Sequence, residues 1–375
     1  MKYYIIAGEA SGDLHGANLM KALQRQDVNA QFRFWGGDLM QKVSPTLVKH
    51  YRDLAFMGFL EVVMNLRTIT KNLAYCKTDI ESYNPDGIIF IDYPGFNLRI
   101  AKWAKQRGYR THYYISPQIW AWKENRIHAI KRDIDKMYVI LPFEKEFYED
   151  KHHYPVEFVG HPLIDAIADR QQVSEYEFRA KRGLTDKPII ALLPGSRKQE
   201  IRKMLTVMLS IVKNFEDYQF VIAGAPSQDY DFYKTFIKKE NVSFVNNKTY
   251  DLLSLATAAL VTSGTATLET ALFKVPEVVC YKGSWLSYQI AKRVINLKYI
   301  SLVNLIMDKP VVTELIQGDF NSKRLKKELE DILRPEKRET LFMEYFHLEK
   351  TLGGKGASEK TAELIFNDIK KHKVQ

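Results

Sequence analysis

One arrangement constrains this chain more than any other, and it occurs twice: a short, wholly apolar run that gives way to small and polar residues and then to a helical pattern. Tyr3-Tyr4-Ile5-Ile6 leads into Gly8-Glu9-Ala10-Ser11-Gly12-Asp13, after which Leu14, Ala17, Leu19, Met20 and Leu23 recur with helical spacing. Far down the chain, Ile189–Leu193 leads into Pro194-Gly195-Ser196-Arg197 in the same way. A run without polar alternation is a strand buried on both faces, which requires a parallel sheet sandwiched between helices.

The remaining apolar runs extend both series. Phe32–Trp35, Gly87–Ile91, Thr111–Ile115, Met137–Leu141 and Val156–Val159 follow the first, with helical stretches such as Asn97–Lys105 between them. Gln219–Ala223, Val242–Val245, Ala258–Thr262 and Glu277–Tyr281 follow the second, after a polar, charged stretch from Asp165 to Lys187. From Ser322 to Gln375 the pattern is helical and charged, without a strand. A length of 375 residues suits two domains. The expectation is therefore an α/β protein of two Rossmann-like domains facing each other across a cleft, 1–165 and 166–340, with a helical tail over 341–375 free to pack back on the first domain.

Charge narrows the partners. Lys and Arg number 55 against 45 Asp and Glu, and the second half carries most of the excess: 33 basic against 26 acidic residues beyond position 165, compared with 22 against 19 before it. A basic second half suits a phosphate-bearing ligand or an anionic lipid face. No dense basic run or repeat points to nucleic acid, so no nucleic-acid partner is expected. Cys76 and Cys280 stand far apart and outside any Cys-x-x-Cys pair, against a disulfide framework or a zinc site. Glu9 and Asp13 interrupt the N-terminal apolar run too early for a signal peptide, and no stretch reaches the length of a spanning helix. These features imply a cytoplasmic protein.

Ligands of such sheets bind at the carboxyl ends of the strands, so the loops there are the candidate site. Gly8 to Asp13 offers small residues at a helix N-terminus, where backbone amides attract an anion. Its Gly-x-x-x-Gly spacing is not the dinucleotide fingerprint, and Asp13 is equally a helix cap. Arg197 follows a tight Pro-Gly-Ser turn and is placed to clamp a phosphate. Thr262-Ser263-Gly264-Thr265-Ala266-Thr267-Leu268-Glu269 ends a strand in small and hydroxyl-bearing residues that open a helix, offering amides to a diphosphate and the Glu269 carboxylate to ribose hydroxyls. An ordinary capped helix would read the same way.

Asp92 ends the apolar strand Ile88-Ile89-Phe90-Ile91 and precedes Tyr93-Pro94-Gly95-Phe96-Asn97. A carboxylate against low-dielectric walls holds its proton more tightly and suits a general base; an acid that caps the helix starting near Asn97 or fixes the loop is the competing reading. Asp133-Ile134-Asp135 has the Asp-x-Asp spacing of metal–diphosphate sites but lies among Lys131, Arg132 and Lys136, which indicates a solvated face. His152-His153 and His161 lack a partnered metal-ligand spacing and are expected to be structural.

Taken together, these segments resemble the lipid-A-disaccharide synthases, glycosyltransferases of Gram-negative bacteria. The likeness is carried, in order over about residues 3–318, by Gly8 to Asp13, Asp92 to Asn97, Ser116-Pro117-Gln118-Ile119-Trp120-Ala121-Trp122, Leu141-Pro142-Phe143-Glu144, Phe158-Val159-Gly160-His161-Pro162, Pro194 to Arg197, Ser263 to Glu269, Asn304-Leu305-Ile306 and Glu314-Leu315-Ile316-Gln317. The resemblance implies a GT-B fold, UDP-2,3-diacylglucosamine as donor and 2,3-diacylglucosamine 1-phosphate as acceptor, joined with inversion and without metal or other cofactor. It implies Asp92 as base and Arg197, Glu269, Asn304 and Gln317 at the nucleotide; from the loops read above, Ser11, Gly12, Gly264, Thr265, Ala266 and Thr267 are expected at the donor as well. Where many members carry Asp-x-Pro-Asp-Phe-Asn, this chain has Gly95 in place of the second acid.

Acylated substrates also need an apolar surface. Residues 54–66 are apolar over an unusual length, and Met57, Phe59, Leu60, Val63 and Met64 are expected either to touch acyl chains or the inner membrane, from its cytoplasmic face, or to form a core helix. A UDP-N-acetylglucosamine 2-epimerase would share the architecture and the UDP site, but would need further acid–base residues near the sugar. A non-enzymatic basic binding protein leaves Arg197 and Glu269 unexplained.

Overall fold

The computed structural model describes residues 1–54, 66–225, 228–237, 241–283 and 298–374. The chain divides into two units, one of 1–168 with 352–375 and the other of 169–351.

The first unit holds a seven-stranded, all-parallel sheet of β1 (Lys2–Ala7), β2 (Gln31–Gly36), β3 (Leu47–His50), β4 (Gly87–Ile91), β5 (Thr111–Tyr114), β6 (Lys136–Val139) and β7 (Glu157–Phe158). Their spatial order is β3-β2-β1-β4-β5-β6-β7. The central strands β1 and β4 pair in register from Tyr3↔Gly87 to Ala7↔Ile91 and are buried along almost their whole length, as their uninterrupted apolar sequences require. Helices such as Ala10–Gln26 and Pro94–Gln106 cover the sheet.

The second unit repeats the plan with β8 (Ile189–Leu193), β9 (Gln219–Gly224), β10 (Val242–Asn246), β11 (Ala256–Thr262), β12 (Glu277–Tyr281) and β13 (Thr313–Ile316), in the order β10-β9-β8-β11-β12-β13. In both sheets the winding reverses beside the first strand. That reversal opens a crevice at the strands' carboxyl ends, between β1 and β4 and again between β8 and β11.

The division expected at 340/341 falls inside the helix Pro335–Thr351, and the chain leaves the second unit only at Leu352. A helix in mid-course cannot be a linker. The last helix, Ala357–Val374, packs against Ala10–Gln26. It is fastened by Arg110 to Asp368 (both contacts 2.7 Å), by Lys373 to Asp86 (2.7 Å) and by an Arg25–Glu359 ion pair. Asp165 caps its start, accepting from the amides of Gly356 (2.7 Å) and Ser358 (3.0 Å).

Met57, Phe59, Leu60, Val63 and Met64 lie outside the described residues. No described helix is long and apolar enough to cross a membrane.

Candidate functional site

In the first unit the crevice is formed by the loops after β1 and β4. Asp92 and Tyr93 both adopt left-handed backbone, with φ of 44° and 49°. This conformation is costly for a residue with a side chain and persists only where surrounding contacts over-determine it. Those contacts are present. The Asp92 amide donates to the Tyr114 carbonyl (3.2 Å), and the Asp92 carbonyl accepts from the Tyr113 hydroxyl (2.5 Å) and the Asn97 side-chain amide (2.7 Å). The Tyr93 ring lies so close over Gly8 that a Cβ there would run into it, so the absence of a side chain at position 8 is what lets the two loops meet.

The Asp92 side chain is thereby set in a half-buried position. Burial, reinforced by the nearby negative charge of Glu9, pushes its pKa up to about 6, partly offset by a hydrogen bond from the Tyr93 amide. The helix-cap reading is not supported: Asp92 precedes the N-cap, Tyr93, whose helix has no side-chain cap hydrogen bond.

Ser11 is exposed in the first turn of Ala10–Gln26, on the loop side of the same crevice. Gly12 serves packing: its missing Cβ would sit 3.1 Å from Ala7 Cβ and within reach of Ile91. Asp13 caps no part of its own helix, whose N-cap is Glu9. It is buried, 3% exposed, and accepts from the amides of Gly37 (2.8 Å), Leu39 (2.9 Å) and Met40 (3.0 Å), closing the N-terminus of the next helix, Asp38–Val43.

In the second unit the loops after β8 and β11 flank the equivalent crevice. Gly195 has φ +98°, a region where a side chain is strained, and turns the chain sharply into the helix Lys198–Met208. Arg197 is the exposed N-cap of that helix and is ion-paired to no described residue. The turn itself is partly filled from within, because the Glu200 carboxylate accepts from the Ser196 amide at 3.2 Å.

Gly264 and Thr265 are exposed at the start of the helix Thr265–Leu272, with Ala266 half-buried behind them. The Thr267 hydroxyl (2.8 Å) and amide (3.2 Å) both donate back to the Gly264 carbonyl, which closes the first turn. Glu269 is half-buried one turn further on, and the Tyr250 hydroxyl donates to its Oε1 at 2.8 Å. Burial raises the Glu269 pKa, and the Tyr250 hydrogen bond opposes that.

Gln317 follows β13 in left-handed backbone (φ 54°), with its side-chain Nε2 buried and without a hydrogen-bond partner among the described residues. Asn304, expected at the nucleotide, is only 1% exposed. Its amide donates to the Val312 carbonyl (2.9 Å) and Glu314 (3.0 Å) while its Oδ1 accepts from the Val312 amide (2.9 Å), so the side chain is engaged inside the unit.

The strand order puts the loops of Ser11 and Asp92 after neighbouring strands, β1 and β4, and those of Arg197 and of Gly264 to Ala266 after β8 and β11; Gln317 lies two strands from β11. Sequence reasoning passed over Tyr113, Glu9 and Tyr250 as site residues. Glu9 was signalled by an acid in a strand-end loop, whereas Tyr113 and Tyr250 act from other elements and leave no local trace.

Asp133 and Asp135 are not on a solvated face. Asp133 is buried against Arg132 (2.6 Å), and Asp135 is paired with Lys105 and Arg110 and accepts from the Thr111 amide (3.0 Å). His161 is buried and accepts from the Leu163 amide (3.2 Å), a structural role. Among the described residues no group of three or more His, Cys, Asp or Glu could hold a metal ion.

Residues 3–365 match the family model described as lipid-A-disaccharide synthetase. The lipid-A-disaccharide synthase of Syntrophus aciditrophicus is 41% identical, covering 98% of this chain and 97% of that protein. The synthase of Coxiella burnetii strain CbuG_Q212 is 38% identical over 97% of this chain and 98% of its own. In fold, the chain is similar to the UDP-GlcNAc 2-epimerase of Neisseria meningitidis bound to UDP-GlcNAc, with a TM-score of 0.67 at 11% identity, covering 99% of this chain and 100% of that one.

Proposed function

Because this chain belongs to the lipid-A-disaccharide synthase family, and so is a GT-B glycosyltransferase, we propose that it transfers the sugar of UDP-2,3-diacylglucosamine to the 6-hydroxyl of 2,3-diacylglucosamine 1-phosphate. The products are the β-1,6-linked disaccharide 1-phosphate and UDP.

The observation that carries this reading is the Asp92 carboxyl, held by a strained backbone at the mouth of a strand crevice with its pKa raised to about 6. At neutral pH such a group is mostly ionised yet basic enough to take a proton in the transition state. Asp92 accepts the proton of the acceptor hydroxyl as that oxygen attacks the anomeric carbon from the face opposite UDP. The C–O bond to UDP breaks as the new one forms, which inverts the configuration.

The departing diphosphate is met by fixed positive partners: the Arg197 guanidinium and the amides at Gly264, Thr265 and Ala266, while Thr267 donates to the Gly264 carbonyl and holds the turn. Glu269, steadied by Tyr250, accepts from the ribose hydroxyls. Gln317 offers its side-chain amide to the nucleotide, and Ser11 is assigned to the donor as well. Asn304 supports the site indirectly by tying Ser301, Val312 and Glu314 together, and Gly12 by seating its helix. With the charge compensated in this way the displacement proceeds without a metal, and Asp133 and Asp135 are already engaged by Arg132, Lys105 and Arg110.

Met57, Phe59, Leu60, Val63 and Met64 take up acyl chains at the cytoplasmic face of the inner membrane. An epimerase activity is not favoured, since the relatives at 38–41% identity over nearly the full chain are synthases and the likeness to epimerases is one of fold. Incubation with UDP-GlcNAc alone and with the diacylated donor plus acceptor, read by mass spectrometry, tests the proposal. Disaccharide phosphate from the second mixture supports it, whereas epimerised UDP-sugar from the first and no disaccharide would overturn it.

A further inference from the structure

The loop that follows β5 carries an arrangement with no part in the chemistry above. Trp122 is 45% exposed, a high value for an indole. Two cations lie against its ring, Lys123 Nζ at 4.4 Å and the Arg126 guanidinium carbon at 5.4 Å from the centroid. Neither cation is ion-paired to a described residue. The acid between them, Glu124, is engaged elsewhere, by Lys151 at 2.7 Å and His152 at 3.0 Å. Their positive charge is left unneutralised around one flat apolar surface.

The rest of the loop is anchored. Ser116 and Trp120 both donate to the buried Glu144 carboxylate, at 2.5 Å and 3.2 Å, and Glu144 also accepts from the amides of Ile140 and Leu141. Lys123 stands in left-handed backbone (φ 54°), which directs the chain out of this anchorage. The root of the loop is beside the proposed base, since β5 pairs with β4 and the Asp92 amide donates to the Tyr114 carbonyl. The positive field of Arg126 reaches the Tyr113 hydroxyl that holds the Asp92 carbonyl.

Resting on the acceptor named above, we propose that Trp122, Lys123 and Arg126 form the subsite that holds the phosphorylated end of the acceptor. The indole face covers the apolar face of the acceptor sugar, and the ammonium and guanidinium bind its phosphate oxygens. A phosphate fixed here orients the sugar so that its distal hydroxyl is presented to Asp92, which makes these residues determinants of acceptor choice and not of donor affinity. Bilayer phosphate would satisfy the same cations, but the loop's root beside Asp92 favours the acceptor.

The test measures KM and kcat in detergent for the 1-phosphate acceptor and for the same diacylglucosamine lacking the phosphate, using Lys123→Gln, Arg126→Gln and Trp122→Leu. Both cation variants should raise KM for the phosphorylated acceptor about tenfold or more, with little change for the unphosphorylated one and unchanged UDP affinity by calorimetry. Trp122→Leu should raise KM for both. Should Trp122→Leu fail to fold, the two cation variants, at the exposed Lys123 and the half-buried Arg126, decide the matter.

Equal effects on the two acceptors, or none on either, would overturn the proposal while the wild-type enzyme still makes disaccharide. Absence of disaccharide from the wild-type enzyme would instead remove the functional reading on which it rests. Weakened binding to phosphatidylglycerol vesicles with unchanged acceptor KM would also overturn it and assign the loop to the membrane.

Discussion

The buried Tyr113 hydroxyl on β5 donates a 2.5 Å hydrogen bond to the main-chain carbonyl of Asp92 at the end of β4. A phenol on the neighbouring strand therefore helps hold the left-handed turn that aims the carboxyl. Tyr113→Phe removes that bond and leaves the carbonyl to Asn97 alone. It should cost about 1 kcal/mol of stability, read by chemical denaturation, and should lower kcat more than it raises the donor KM.

The raised pKa of Asp92 fixes a pH dependence. Activity that needs the ionised carboxylate should rise with pH through about 6. Stability should move the other way. The folded state holds this proton more tightly than the unfolded chain, so the Asp92 contribution weakens as pH rises from about 4 through about 6, by roughly 2–3 kcal/mol in all at about 1.4 kcal/mol per pKa unit. Asp92→Asn should consequently melt higher than wild type at pH 8 and lose that advantage near pH 4.

Gly95 lies exposed in the first turn of Pro94–Gln106, and a Cβ there would meet nothing within 4 Å. Gly95→Asp should fold normally, with a small gain in melting temperature from an acid near a helix N-terminus, worth about 0.3–1 kcal/mol. The added negative charge near Asp92 should shift the acid limb of the pH–rate profile upward.

Arg197→Ala and Glu269→Ala should each weaken UDP binding about tenfold or more, as expected for loss of a charged hydrogen bond. Tyr250→Phe should have a smaller effect in the same direction. Calorimetry with UDP measures all three, and unchanged affinity in the first two would displace the nucleotide from this crevice.

Much of this architecture was legible because the central strands are apolar on both faces: Gly87–Ile91, Ile189–Leu193 and Glu277–Tyr281 have the predicted limits. The two strands that escaped notice are edge strands. Leu47–His50 and Thr313–Ile316 each pair on one side only, are largely half-buried, and include Lys49, His50 and Glu314, so no apolar run marks them. The site was legible in its positions but not in its partners. Asp13 reads equally as a cap of its own helix, and Asn304 is placed at the nucleotide by the family resemblance alone. Their partners, from Gly37 to Met40 for Asp13 and Val312 and Glu314 for Asn304, are remote in sequence and turn both side chains inward.

The most direct test of the account is the turnover of Asp92→Asn in the disaccharide-forming assay at pH 8, with UDP affinity measured on the same preparation. Loss of general-base catalysis should lower turnover by about 100-fold or more while UDP binding stays at the wild-type level. Near wild-type turnover would contradict the assignment of Asp92 as the base.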